Sequence, residues 1–309
     1  CREILIFMGD YVEVVQSGGA GVRLQVKDLC KNVTETCGLS SQTKTLLHHV
    51  SLTIQPGELI AIIGGSGAGK TTLLNAICGY TTKSSGTILV DGQDFDQNYA
   101  ALKSIIGYVP QQDIVFDCLP LAKMLEYAAK MRMPEDTTPE ERRKRIDQVL
   151  KIVKLQEHKE TVIRKLSGGQ RKRASIAVEL LADPALFFLD EPTSGLDAGT
   201  EESLMQSLRE LTYQGKTVIL VTHSTLQLDV CDRIIAMGRG GRLCYMGPAS
   251  GAPAFFGVQR LPQIYDKLDY ESKRWEKNYM AQQNPEPQRT RAKRPIRGRK
   301  SIGALRQYQ

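Results

Sequence analysis

Gly64-Gly65-Ser66-Gly67-Ala68-Gly69-Lys70-Thr71 follows directly on the apolar run Leu59-Ile60-Ala61-Ile62-Ile63. The octapeptide fits the pattern G-x-x-x-x-G-K-[ST], and the five residues before it read as a strand buried on both faces. Glycines let backbone N–H groups curl round phosphate oxygens, and a helix starting near Lys70 adds the positive potential of its N-terminus. In that arrangement Lys70 reaches the outer phosphates and the Thr71 hydroxyl ligates Mg²⁺. Strand, glycine loop and helix in this order predict an α/β core.

Upstream, Val22, Leu24 and Val26 alternate with polar residues as a half-buried strand does. Val50, Leu52 and Ile54 repeat the pattern before a Pro56-Gly57 turn, so an antiparallel β subdomain leads into the core. Downstream, residues 113–165 change character. Leu121, Met124, Leu125 and Ala128 recur at helical spacing, and a second helical stretch runs from Arg142 to Leu155 after breaks at Pro134 and Pro139. The α/β alternation resumes with strand Leu186–Leu189, a helix over 199–213, strand Val218–Val221 and a hairpin around Gly238 to Gly241. This succession implies a mainly parallel sheet covered on both faces, with a helical insert.

The 309 residues and 41% hydrophobic content suffice for a packed core. The formal net charge of +7 lies wholly in the tail, where residues 281–309 carry eight Lys or Arg against the single Glu286. The folded part has no basic excess, so nucleic acid is not an expected partner. The seven cysteines are scattered and form no C-x-x-C pair, which argues against a zinc or redox motif. No apolar run approaches the ~20 residues of a membrane helix.

Leu166-Ser167-Gly168-Gly169-Gln170 opens a second helix-like stretch, and its small residues at a helix start again suit an anion. Taken alone, the Asp190-Glu191 pair before Pro192 reads as a solvated strand end, and a lone His223 after an apolar strand as a structural histidine. Order changes that reading. The glycine loop at 64–71, Leu166–Gln170 and Leu186-Phe187-Phe188-Leu189-Asp190-Glu191-Pro192 resemble, in sequence, the nucleotide-binding domain of ABC transporters over roughly residues 22–257.

The resemblance implies a P-loop NTPase fold that binds Mg-ATP through Gly64, Gly65, Ser66, Gly67, Ala68, Gly69, Lys70, Thr71 and Thr72, with Thr71, Gln111 and Asp190 serving Mg²⁺. It implies Glu191 as general base, Gln111 of the Q-loop as metal sensor, His223 as the γ-phosphate switch and Asp197 in the D-loop. It also implies a head-to-tail homodimer in which Leu166–Gln170 of one copy closes on the ATP of the other. Other histidines (His48, His49, His158) are left structural. One departure is that no Phe, Tyr or Trp lies between Lys31 and Glu58, where such domains carry an aromatic for adenine, leaving His48, His49 or an aliphatic contact as substitutes.

The run Gly168-Gly169-Gln170-Arg171-Lys172-Arg173-Ala174-Ser175-Ile176-Ala177, with Asp190-Glu191-Pro192-Thr193-Ser194-Gly195-Leu196-Asp197, is similar to the White or G-type subfamily, in which this domain precedes a membrane domain in one polypeptide. The expected division is a tail or linker at 1–21, the nucleotide-binding domain at 22–257 with a helical subdomain at about 113–180, and a polar then basic linker at 258–309 leading toward that membrane domain. ATP-driven transport, with export as the implied direction, at the cytoplasmic face of a membrane is the expected role. The alternatives are a soluble ABC ATPase of translation or DNA repair and a regulatory module that binds ATP without hydrolysis.

Overall fold

The computed structural model describes residues 2–8, 11–17, 21–37 and 40–283. Strands β1 (Arg2–Met8) and β2 (Tyr11–Ser17) pair as an antiparallel hairpin within the stretch expected to be a tail. A longer hairpin follows, β3 (Leu24–Cys37) with β4 (Ser40–Ile54), and then the buried strand β5 (Leu59–Ile63), helix α1 (Lys70–Ile77), β6 (Ser85–Val90) and β7 (Gln93–Asp94). Short helix α2 (Tyr99–Leu102) and β8 (Ile106–Val109) lead into the insert, which holds α3 (Leu121–Arg132), α4 (Pro139–Ile152) and α5 (Gly168–Leu180). The core returns with β9 (Leu186–Asp190), α6 (Ala198–Tyr213), β10 (Thr217–Val221), β11 (Arg233–Gly238) and β12 (Arg242–Gly247), and ends in α7 (Ala252–Phe256), α8 (Ile264–Tyr270) and α9 (Ser272–Gln283).

One sheet carries the fold, in the order β7-β6-β3-β4-β12-β11-β5-β10-β9-β8. From β11 to β8 the strands run parallel, and the β3, β4, β6 and β7 end is antiparallel, as the two sequence patterns require. Successive side chains of a strand point to opposite faces. Hence Leu59, Ala61 and Ile63 join one core with Phe187, Leu189, Val218 and Leu220, while Ile60 and Ile62 join the other with Leu186, Phe188, Ile219 and Val221. The first core is closed by the insert and α6, the second by α1 and the antiparallel strands. Burying a side chain the size of Phe187 or Phe188 is worth about 1.5–3 kcal/mol, so an unbroken apolar strand is stable only with cover on both sides.

Two expectations are revised. Pro139, expected to break helical structure, is instead the first residue of α4, where a missing N–H costs nothing. Thr138 caps that helix through a reciprocal box with Glu141. The second concerns the polar stretch from residue 258, which up to Gln283 is folded rather than linker. Ile264, Leu268, Trp275 and Tyr279 are buried on α8 and α9, and Trp275 packs on Phe255 and Phe256 with ring centroids 5.6 and 5.0 Å away. Glu276, itself buried, pairs with Arg242 and with His48, pinning α9 to β12 and β4. Four apolar positions among many charges gave too weak a pattern to read. The basic segment expected at 284–309 lies outside the described residues, and no described helix is long and apolar enough to cross a membrane.

Candidate active site

The glycine loop leaves the C-terminal end of β5 among parallel strands, the place where open α/β sheets bind ligands. Gly67 and Gly69 have φ of 74° and 88°, a region closed to most side chains, and Gly69 is the N-cap of α1. Lys70 is buried, and its ammonium donates to the carbonyl oxygens of Gly64 and Gly65, both at 2.9 Å. Burial lowers its pKa from the usual value, against the raising influence of Glu191, Asp190 and Asp269. The loop therefore holds a cation pointed back on itself, next to backbone N–H groups.

Neighbouring strands bring the rest. Asp190 ends β9, and its Oδ1 accepts a hydrogen bond from the Thr71 hydroxyl at 3.1 Å. Desolvation pushes the Asp190 carboxyl above its usual range, although Thr71, Lys172 and Lys70 act against that shift. Glu191 takes a left-handed φ of 48°, a strained turn for a non-glycine residue, held by its N–H on the Val221 carbonyl at 3.0 Å. Its carboxylate is engaged at both oxygens: Gln111 Nε2 donates to Oε2 at 2.9 Å, and His223 Nε2 lies 2.6 Å from Oε1. Lys70, Thr71, Asp190, Glu191, Gln111 and His223 thus converge from β5, β8, β9 and β10.

All-oxygen donors, one hydroxyl and one desolvated carboxylate, suit a hard cation that takes its remaining ligands from phosphate and water. Thr71 and Asp190 fit Mg²⁺ in this sense. The expected third ligand, Gln111, is turned to Glu191 instead.

The second half of the expected site stands apart. Ser167 caps α5, accepting from Gln170 N–H at 3.2 Å, while Gln170 Oε1 accepts from Ser167 N–H at 2.9 Å. Asp197 caps α6 by accepting from Thr200, and those bonds hold its pKa below the usual range. A Cβ at Gly169 would meet Thr200 and Leu196 within 3.1 Å, so signature and D-loop are adjacent. Among the described residues the signature shares no hydrogen bond or ion pair with the Lys70 cluster, and the turn before Asp197 meets it where Ser194 N–H donates to the Glu191 carbonyl at 3.2 Å.

Several residues that sequence reasoning missed belong to these two groups. Buried Lys172, on α5, donates to the carbonyl oxygens of Pro110 and Gln111 at 3.0 and 2.7 Å. His158, expected to be structural, lies 2.9 Å from Gln170 Nε2 through its own Nε2. The Asp269 carboxylate overhangs Gly65 so closely that a Cβ there would meet Oδ1 at 2.2 Å, and the Tyr265 hydroxyl donates to the His223 carbonyl at 3.2 Å. The signals were a lysine inside an Arg-Lys-Arg run and acids in a stretch read as linker.

The family model described as ABC transporter matches residues 47–194. The chain is 42% identical over 244 residues to the ABC transporter ATP-binding/permease protein Rv1747 of Mycobacterium tuberculosis, covering 79% of this chain and 28% of that protein. It is 39% identical over 242 residues to protein white of Drosophila melanogaster, covering 74% of this chain and 35% of that protein. The solved dimer of the ATP-binding cassette MJ0796, a post-hydrolysis state bound to ADP and Pi, is 31% identical, with a TM-score of 0.64 and 98% of its chain covered against 73% of this one. The chain belongs to the ABC transporter family. Its relatives include White and G-family transporters, in line with the subfamily read from residues 168–177 and 190–197. It spans about a third of the length of such curated relatives, and the part it matches is their ABC ATPase domain.

Neither histidine considered in place of the missing upstream aromatic lines the cleft at the glycine loop. His48 turns to Glu276, and His49 Nδ1 lies 2.7 Å from Asp28 Oδ1.

Proposed function

We propose that the chain is the motor of a White-type ABC transporter and works as a head-to-tail pair of identical cassettes enclosing two Mg-ATP. The observation that carries this reading is the division of one chain into two half-sites, the Lys70 cluster and the signature with its D-loop. A second copy placed head to tail supplies the half that each chain lacks within its own site. The 31% identical cassette is itself a dimer, which supports the arrangement.

Within each composite site the glycine loop and Thr72 bind the triphosphate, and Lys70 leaves its carbonyl partners to meet the outer phosphates. Mg²⁺, held by Thr71 and Asp190 with Gln111 swinging in, would neutralise phosphate charge. Glu191 takes the proton of the attacking water, help that is typically worth about 10²–10⁴ in rate. His223 moves from Glu191 to the γ-phosphate. Ser167, Gly168 and Gly169 of the partner present a capped helix start to the same phosphate, and Asp197 crosses the interface. Closure and release drive a membrane domain of the same polypeptide through the insert formed by α3 and α4, at the cytoplasmic face, in the direction of export.

Mg-ATP turnover measured against protein concentration tests the shared site, with Glu191→Gln sized in ATP beside it. Activity per chain that rises with concentration, and an inactive variant that is dimeric in ATP, are the expected results. Activity per chain independent of dilution, with a monomeric variant, overturns the composite site.

A further inference from the structure

The glycine loop opens into a cleft of about 630 Å³, a volume in the range of small-molecule sites. Ser66 and Gly67 line it together with Leu46 of β4 and, from the far end of the described chain, Arg239, Asp269 and Tyr270. Tyr270 is the one aromatic residue in that lining. It ends α8 and is 84% exposed, so its ring contributes little to packing within the chain.

Its position is nevertheless fixed. Arg239 N–H donates to the Leu268 carbonyl at 3.1 Å, and the Ser272 hydroxyl donates to the Arg239 carbonyl at 3.1 Å, so the turn between α8 and α9 is tied to the β11–β12 corner on both sides of Tyr270. Leu268 is fully buried beneath it, and Asp269, the residue between, overhangs Gly65. A ring so exposed and so anchored beside a phosphate loop, in a cleft whose only other bulky apolar residue is Leu46, is placed to cover a flat heterocycle.

We propose that Tyr270 supplies the aromatic face on which the purine of the bound nucleoside triphosphate rests, doing from the C-terminal side what an aromatic before the glycine loop would otherwise do. The inference rests on the ATP reading above and extends it to the base. Because every purine has a π-face, stacking of this kind favours ATP and GTP alike.

Equilibrium binding of Mg-ATP, Mg-GTP and inorganic tripolyphosphate to the native chain, Tyr270→Ala and Tyr270→Phe tests it, with thermal melting to check that the exposed substitutions leave the fold intact. Tyr270→Ala is expected to raise the Kd for both nucleotides about tenfold and leave tripolyphosphate unchanged, while Tyr270→Phe binds as the native chain does. Equal ATP affinity in native chain and Tyr270→Ala overturns the proposal, as does an equal loss of tripolyphosphate, or a Tyr270→Phe variant as weak as alanine. A native chain that binds neither nucleotide nor tripolyphosphate would overturn the ATP reading itself. One that binds ATP no better than tripolyphosphate removes the base contact alone.

Discussion

The Lys172 ammonium donates to the main-chain carbonyl of Gln111 at 2.7 Å, and so joins the helix that begins with the signature to the loop whose Gln111 side chain holds Glu191. Burial lowers the lysine's pKa, with Asp113, Asp190 and Glu191 pulling the other way. Lys172→Met removes the donor and leaves the Pro110 and Gln111 carbonyls short of a partner, at a cost of about 1–3 kcal/mol in stability. Because Lys70 and Thr71 are untouched, ATP affinity should hold while kcat falls about tenfold. Steady-state kinetics split into kcat and KM, with a melting curve, check both parts; a rise in KM at constant kcat would refute the coupling role.

His158 engages Gln170 in the signature, and among the described residues it shares no hydrogen bond or ion pair with the Lys70 cluster. His158→Leu should leave ATP affinity of the single chain unchanged and shift the protein concentration of half-maximal turnover upward several-fold. Nucleotide titration and a dilution series of turnover separate the two, and an unchanged dilution profile would show the contact to be packing only.

Arg132 on α3 donates from Nη1 to Glu179 Oε2 at 2.8 Å, and Glu179, on α5, is buried. Desolvation raises the Glu179 pKa despite Arg132. Its ionised form is therefore penalised in the folded state, a penalty present above the folded pKa and relieved as pH falls through it toward the unfolded value. Arg132→Met should destabilise the chain by about 2 kcal/mol near neutral pH, discounted for the partly exposed arginine, and by less as pH is lowered. Adding Glu179→Gln should restore most of the loss. Denaturant midpoints at two pH values decide the matter.

Trp275 packs on Phe255 and Phe256, yet its buried Nε1 has no hydrogen-bond partner among the described residues. Trp275→Ala should cost about 3 kcal/mol, whereas Trp275→Phe should cost far less because it also removes an unpaired donor. If both variants melted with the native chain, α9 would be a loosely attached appendage rather than part of the domain.

Much of the site could be read because its chemistry is short-range in sequence. The loop at 64–71 needs glycine at fixed places, Asp190 and Glu191 end one strand, and Ser167 and Gln170 cap one helix. The parallel core was equally legible, since strands covered on both faces cannot tolerate polar interruptions. What stayed hidden depends on contacts between distant residues. Lys172 and Gln111 lie 61 positions apart, and nothing in the Arg-Lys-Arg run says which of its cations turns inward. The α8 and α9 segment bears four buried apolar side chains among charges, too sparse a stripe to announce itself. Pro139 was misread because the same residue ends one helix and begins another, and only the Thr138 cap distinguishes the two.

Glu191 accepts from Gln111 at one oxygen and meets His223 at the other. That pairing works as an interlock. In the proposed mechanism the two side chains that leave to serve metal and phosphate are those that keep the carboxylate occupied, so loading the site and arming it would be one event. With Glu191 as the proposed base, water that wanders in alone would meet a carboxylate already spoken for, and a polyphosphate too short to draw His223 away would sit in the loop without being cut. An ATPase arranged in that way would idle quietly until its nucleotide arrived.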